Sequence, residues 1–287
     1  MTRSKRFEKV YVSTTPQAHN RRSLAKYWWK GENLPFPDAW KEKSFDDHEV
    51  IAAYSNYCRY LIDFFEPDYF AYGSEVNGTF TLTHPDYAPF KTLVAEVYAT
   101  LKQEYPDLPI FLTFQTGSLE VSWEEQQEVN RDLIQYSDLV GISTYPYLAP
   151  NTIESGKANV KDLPKDWFTQ MAALAPEKPF AITETGFTAE DFSLKIANIN
   201  LEGRELWQAE YVDLLLRSIN QVNAEFVVWF IARDYDQGWR TVKDLGMDAD
   251  GWSIWRDTGL LDGEGRSRLG LQVWDRWLHL PRRGNLK

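Results

Sequence analysis

Two glutamates stand where chemistry is readily built: Glu75 in Tyr72-Gly-Ser-Glu-Val-Asn77 and Glu184 in Ala181-Ile-Thr-Glu-Thr-Gly186, each following a short apolar run. A single Glu is usually a solvated surface acid, and that plain reading stays open for both. Two carboxylates about 5 Å apart can instead divide the work at a glycosidic bond, one as acid and then base, the other as nucleophile. They face the same mouth if their runs are the fourth and seventh strands of a parallel barrel, whose site gathers on the loops after the strands. The lone Cys58 cannot make an internal disulfide, and neither CxxC nor His-rich metal spacing occurs. No cofactor or metal is expected.

The elements that must position these acids alternate along the chain. Strands are predicted at Val10–Thr15, Tyr69–Gly73, Ile110–Phe114, Leu139–Ser143, Phe180–Thr183 and Phe226–Ile231, too apolar to alternate in and out. Helical periodicity predicts helices over His48–Phe65, about Pro89–Glu104, Trp123–Tyr136, Asp166–Ala175, Leu206–Asn220 and Leu269–Leu278. Six strand-then-helix units imply a parallel sheet covered by helices. The polar stretches Pro16–Asp46, Pro146–Pro164 and Ala232–Leu261 all follow strands, on the side where a barrel of this kind builds its site. No repeat or linker breaks the pattern, so residues 1–287 are expected to form one domain.

Composition narrows the partners. A net charge of −11 with no basic block offers a phosphate backbone nothing, so nucleic acid is not an expected partner. No apolar run approaches the roughly 18 residues of a membrane span, so no membrane partner is expected. Basic residues at the start are followed by Phe7-Glu8-Lys9 rather than an apolar stretch, so no signal peptide is expected in this chain. The 16 Phe, 15 Tyr and 12 Trp are partly core, yet indole and phenol faces also pack on sugar C–H surfaces. Tyr27, Trp28, Trp29, Trp40, Tyr147, Trp239, Trp252 and Trp255 are the loop aromatics that could line outer sugar subsites.

Taken in order, six strings resemble the clan A glycoside hydrolases: Gly73-Ser-Glu-Val-Asn77, Gly141-Ile-Ser-Thr-Tyr-Pro-Tyr147, Lys178-Pro-Phe-Ala-Ile-Thr-Glu-Thr-Gly186, Trp207-Gln-Ala-Glu-Tyr211, Trp229 and Thr258-Gly-Leu-Leu-Asp262. The tyrosine-proline strand and the Glu-Thr-Gly strand are most similar to the endo-β-1,4-galactanase family and its uncharacterised relatives. The resemblance covers about residues 8–280 and implies an α/β fold of the TIM-type (β/α) barrel. It implies a β-linked polysaccharide or oligosaccharide as substrate, with Glu75 as acid/base and Glu184 as nucleophile. It also implies that Tyr145 bonds and orients the nucleophile and that Trp229 floors the sugar subsite beside the cleaved bond. Arg233 and Asp234 follow on the same loop and could contact substrate or pair internally.

Two departures qualify the resemblance. Where the family has an Asn that bonds the sugar 2-hydroxyl there is Ser74, shorter and without an amide's paired donor and acceptor. Asn77 could take over that contact or simply shape a turn. A barrel with Glu75 on its fourth strand should also have three βα units before it, and only one precedes it here. The fold is therefore expected to be an incomplete barrel holding family strands 3 to 8. It is expected to be part of a longer, secreted protein and, compatibly, to have its open edges covered by loops or by a homo-oligomer, a wrong numbering of the strands being the third explanation left open. Besides a retaining β-glycanase, the residues leave open a carbohydrate-binding relative without turnover and a clan A enzyme of β-mannan or β-glucan specificity.

Overall fold

A computed structural model of the chain describes residues 9–26, 34–118, 120–246 and 251–280. The elements alternate from β1 (Tyr11–Ser13) and α1 (His48–Phe65) through β2 (Tyr69–Gly73), α2 (Tyr87–Glu104), β3 (Ile110–Gln115), α3 (Trp123–Leu133) and β4 (Val140–Thr144). After β4 come two short helices, α4 (Pro150–Ser155) and α5 (Thr169–Ala172), then β5 (Phe180–Thr185) and a hairpin of β6 (Phe192–Leu194) and β7 (Ile199–Leu201). The chain continues with α6 (Glu205–Gln221), β8 (Val227–Trp229), α7 (Asp236–Asp244) and α8 (Leu269–Leu278). The six-stranded sheet has the hydrogen-bonded order β1-β2-β3-β4-β5-β8, with parallel pairing at β1·β2, β2·β3, β3·β4 and β5·β8. This is an incomplete TIM-type (β/α) barrel topology, as expected.

Two compact units divide the chain, one built from the described residues up to Ser143 together with Ala172–Ala181, the other from Thr144–Met171 and the described residues after Ala181. In the first, β2 and β3 are buried almost throughout, the signature of strands covered on both faces. Phe70, Phe111 and Leu112 of these strands are fully buried, as are Phe90, Leu93 and Val97 of α2. Burying each such side chain contributes about 1.5–3 kcal/mol. On α1, Tyr54, Cys58, Leu61 and Ile62 turn inward at helical spacing, and the Tyr54 hydroxyl donates to the Tyr72 carbonyl at 2.6 Å. Burial pushes the free Cys58 thiol up to about 12, so it stays protonated. A capping box starts α3, with the Ser122 hydroxyl on the Glu125 amide and the Glu125 carboxylate on the Ser122 amide.

In the second unit α6 packs on α8 around Val212, Leu216 and Val273, with Trp229 and Trp274 against that cluster. Several elements differ from expectation. The helix expected over Asp166–Ala175 contracts to α5, where the Trp167 indole N–H is drawn to the Thr144 hydroxyl at 2.9 Å. The β6–β7 hairpin and α7 were not anticipated. Three-residue strands carry too short an alternation to stand out, and α7 buries none of its residues. Among the described residues no helix is long and apolar enough to cross a membrane.

Candidate active site

The two glutamates occupy one place each in the two units. In the first unit, the β2·β3 register slips between Ala71 and Gly73, and the chain leaves the sheet at Ser74. Such irregularities re-aim the side chains that follow them. A Cβ on Gly73 would come within 2.7 Å of Leu112 Cδ2 and 2.8 Å of Val76 Cγ1, so this exit admits no larger residue without a shift. Glu75 then adopts φ 52°, a left-handed conformation that costs a non-glycine residue energy. Its amide donates to Thr113 Oγ1 of β3 at 2.8 Å, and its carbonyl accepts from Gly78 at 3.0 Å. The carboxylate is held at both oxygens: Ser143 Oγ of β4 donates to Oε1 and Arg21 Nη2, from the loop after β1, donates to Oε2, each at 2.7 Å.

Asn77 is fully buried, and its amide bonds the Gln115 backbone in both directions, donating to the carbonyl at 2.9 Å and accepting from the amide at 2.7 Å. It thus extends the pairing of the loop with the end of β3. Ser74 is half-buried, and its hydroxyl has no hydrogen-bond partner among the described residues.

In the second unit, Glu184 sits half-buried on β5 between the buried Thr183 and Thr185. Here too the strand register is irregular, between Ile182 and Thr185 of the β5·β8 pair. Tyr145, immediately after β4, donates its phenol hydrogen to Glu184 Oε1. Its ring packs edge-on against Tyr147 and Trp255, with centroids 6.2 Å away in each case. Next to Glu184 the Thr185 hydroxyl lies 2.7 Å from the Thr144 carbonyl and 2.6 Å from the Tyr211 hydroxyl, tying β5 to the end of β4 and to α6. A Cβ on Gly186 would stand 2.3 Å from the Phe230 carbonyl oxygen, so the ends of β5 and β8 approach more closely than a side chain allows. Burial drives the Tyr147 phenol well above its ordinary value, and its hydroxyl donates to the Ile254 carbonyl.

The remaining candidates sort differently. Trp229 donates its indole N–H to the Thr258 carbonyl at 2.9 Å and packs on Tyr211 and Trp274, at 5.9 and 6.1 Å between centroids, as part of the α6–α8 cluster. Its neighbour Phe230, like Tyr145, meets the loop Trp255, with centroids 5.9 Å apart. Asp234 is buried and structural: Arg268 donates to Oδ2 at 2.6 Å and the Gly259 amide to Oδ1 at 2.7 Å, which is the internal pairing left open above. Burial outweighs this pairing and pushes its carboxyl up to about 6. Arg233 donates to the Gly263 carbonyl on the surface. Tyr27, Trp28 and Trp29 lie outside the described residues.

Glu190, Asp234 and Asp257 bring carboxylate oxygens within 4.8 Å of one another, a spacing that could hold a cation. Arg268 already bridges Glu190 and Asp234, and Arg256 pairs with Asp257, so two guanidinium groups supply the countercharge. The residues that sequence reasoning missed are Arg21, Thr113 and Ser143. The two hydroxyls were visible as polar residues of otherwise apolar strands, Thr113 within one and Ser143 near the end of the other, whereas Arg21 sits in a loop with no periodic signal.

No family model matches the sequence, and no curated protein matches it. Solved structures do. The GH53 catalytic domain of Ignisphaera aggregans superposes with a TM-score of 0.55 at 17% identity, over 83% of this chain and 67% of that one. A fungal β-1,4-galactanase gives 0.54 at 17%, over 84% and 72%. A GH5_18 protein from Bifidobacterium longum subsp. infantis gives 0.61 at 15%, over 96% of this chain but only 61% of that one. The chain thus spans less than two thirds of the GH5_18 protein and about two thirds of the GH53 domain. At these identities the likeness establishes the fold alone, the (β/α) barrel type that the sequence resemblance implied.

Proposed function

We propose that the chain hydrolyses a β-linked oligosaccharide or polysaccharide by a retaining, two-step mechanism, with Glu184 as nucleophile and Glu75 as acid/base. The observation that carries this reading is the hydrogen bond from Tyr145 to Glu184 Oε1. A neutral phenol donating to a carboxylate favours its charged form and fixes its plane, the two properties a nucleophilic carboxylate needs. In the first step a Glu184 oxygen attacks the anomeric carbon while Glu75 gives its proton to the departing glycosidic oxygen, leaving a glycosyl ester on Glu184. In the second, Glu75 takes a proton from water, the water oxygen attacks the anomeric carbon, and Glu184 leaves as carboxylate. Endo action on a galactan-like chain is the substrate class proposed from the resemblance.

A second reading, a carbohydrate binder without turnover, draws on the ion pair between Arg21 and Glu75, which occupies the acid/base in the sugar-free chain. Aryl β-glycosides and a panel of β-galactan, β-mannan and β-glucan separate the two. Hydrolysis by the unaltered chain that disappears in Glu184→Ala, with the product first released in the β configuration, supports the retaining enzyme. Inversion of configuration refutes the mechanism, and sugar binding without turnover in both proteins favours the binder. In Glu75→Gln, substrates with poor leaving groups lose far more rate than activated aryl glycosides, because only the former need a proton on the departing oxygen.

A further inference from the structure

Helix α1 turns one face to the core and carries aromatic rings outward on the other. Tyr57, Tyr60, Phe64 and Phe65 are 50%, 60%, 43% and 43% exposed. Single exposed apolar residues are ordinary on a protein surface, whereas contiguous ones mark an interaction site. Here the rings touch: Tyr60 stacks on Phe64 with centroids 5.8 Å apart, and Phe64 meets Phe65 edge-on at 4.8 Å. Towards the start of the helix the patch runs into a cavity of about 490 Å³ whose walls include Ala53 and Tyr57 together with Pro16, Leu24, Phe36 and Trp40. The charged residues beside the rings have partners on their own chain, so covering the face strands neither of them: Arg59 donates to both Glu104 oxygens, at 2.7 and 2.6 Å, and Asp63 accepts from the Tyr105 hydroxyl at 2.8 Å. In the same unit β1 is an edge strand, paired among the described residues with β2 alone, and open edges invite pairing.

Residue sizes along this stripe select its occupant. Ala53, Tyr57, Tyr60 and Phe64 follow one another at intervals of four, three and four, the seam along which one helix packs on another. Read backwards the intervals are the same, so an antiparallel copy of the helix meets the stripe in register. Ala53 then faces Phe64 of the partner subunit, small against large, and Tyr57 faces Tyr60 of the partner subunit. Such self-complementarity is what a two-fold interface requires. We propose that α1 is the interface of a homodimer, in which a second copy of this chain lays its own α1 antiparallel across this face. At about 150–250 Å² for a whole aromatic side chain, the exposed parts of the four rings supply roughly 400 Å², about half of the roughly 800 Å² that each partner buries in a standard interface. The walls of the adjoining cavity and the edge of β1 lie beside them to supply the rest. The dimer does not depend on whether the chain cleaves a glycoside.

The test is the mass of the whole chain in solution, measured by sedimentation from about 1 to 100 μM, the weak end of affinities for interfaces of this size. The expected mass is twice that of one chain. Tyr60→Glu sets two like charges close to the two-fold axis and raises the dissociation constant at least about 100-fold, with the circular dichroism unchanged. Leu278→Glu, which charges an exposed leucine of α8 in the other unit, leaves the dimer in place. Ala53→Cys/Phe64→Cys carries the same test should Tyr60→Glu fail to fold. In the antiparallel pair, mild oxidation joins position 53 of one copy to position 64 of the other and gives a covalent dimer on a non-reducing gel. Either single substitution gives none, because its two thiols lie about 16 Å apart along the helix axes, at about 1.5 Å per residue. The buried Cys58 stays out of the reaction. A monomer at every concentration, whatever else covers the face, overturns the proposal. So does a dimer that Tyr60→Glu leaves intact or Leu278→Glu dissociates, or a cross-link that forms in the single variants and not in the double one.

Discussion

Tyr145→Phe replaces the phenol hydroxyl by hydrogen, a net loss of one oxygen, and leaves the packing of the ring in place. The phenyl ring keeps its edge contacts with Tyr147 and Trp255, 6.2 Å away in the native chain, and the exit of β4 at Thr144 remains tied to Thr185 at 2.7 Å. What is lost is the donor to Glu184 Oε1. A hydrogen bond to a charged group contributes about 1.5–3 kcal/mol. If it acts on the nucleophile in the transition state, its loss lowers kcat/KM roughly 10- to 150-fold, at 1.36 kcal/mol per factor of ten. The carboxylate also loses the contact that fixes its plane, so the fall should appear in kcat rather than in KM. The assay is steady-state hydrolysis of an aryl β-glycoside over pH 4–9, with thermal unfolding alongside. A change in kcat/KM below twofold with the Tm unaltered would refute the role of Tyr145 and, with it, the main support for Glu184 as nucleophile.

Other outcomes follow from the same contacts. Asn77→Ala takes away the side chain that bonds both the carbonyl and the amide of the half-buried Gln115 and should destabilise the chain by about 1–3 kcal/mol, measured by urea unfolding. A loss under 1 kcal/mol would show that water replaces the amide. Asp234 gives a pH signature. Its carboxyl titrates near 6 when folded against an ordinary value near 4 when unfolded, so the folded chain binds more protons between those values and its stability falls as pH rises through that window. Asp234→Asn lacks that step, and its Tm should gain on the unaltered chain between pH 4 and 7; a constant difference refutes the shift. Phe111→Ala, in the core between sheet and helices, should cost about 3–5 kcal/mol in the same urea assay.

Fold class and most elements were legible because a parallel sheet imposes its pattern locally. Strands covered on both faces are mostly apolar and buried almost throughout, as β2, β3 and β4 are, and helices that cover one face repeat apolar residues every three or four positions, as α1 and α6 do. The bounds of α1, β2 and α8 agree with the sequence reading at both ends. The hairpin of β6 and β7 escaped because its pairing lies between residues several positions apart whose own pattern is only three residues long. Likewise α7 escaped because it buries nothing, so no apolar stripe marks it.

The candidate site divides in the same way. Glu75, Glu184 and Tyr145 were readable as residue types at strand ends, and chain order alone brings each to the end of its strand. Sequence could not tell whether Asn77 and Asp234 meet a sugar or the protein interior, since an amide or a carboxylate does either. Folding placed them inside, Asn77 on the Gln115 backbone and Asp234 on Arg268. Nor could it foresee Arg21, fifty-four positions before Glu75, as the cation on that carboxylate. Local pattern determines which segments become strands and helices and which side chains stand at their ends. The partner each polar group finds depends on distances that only the tertiary fold sets, and through those partners it governs where the protons reside.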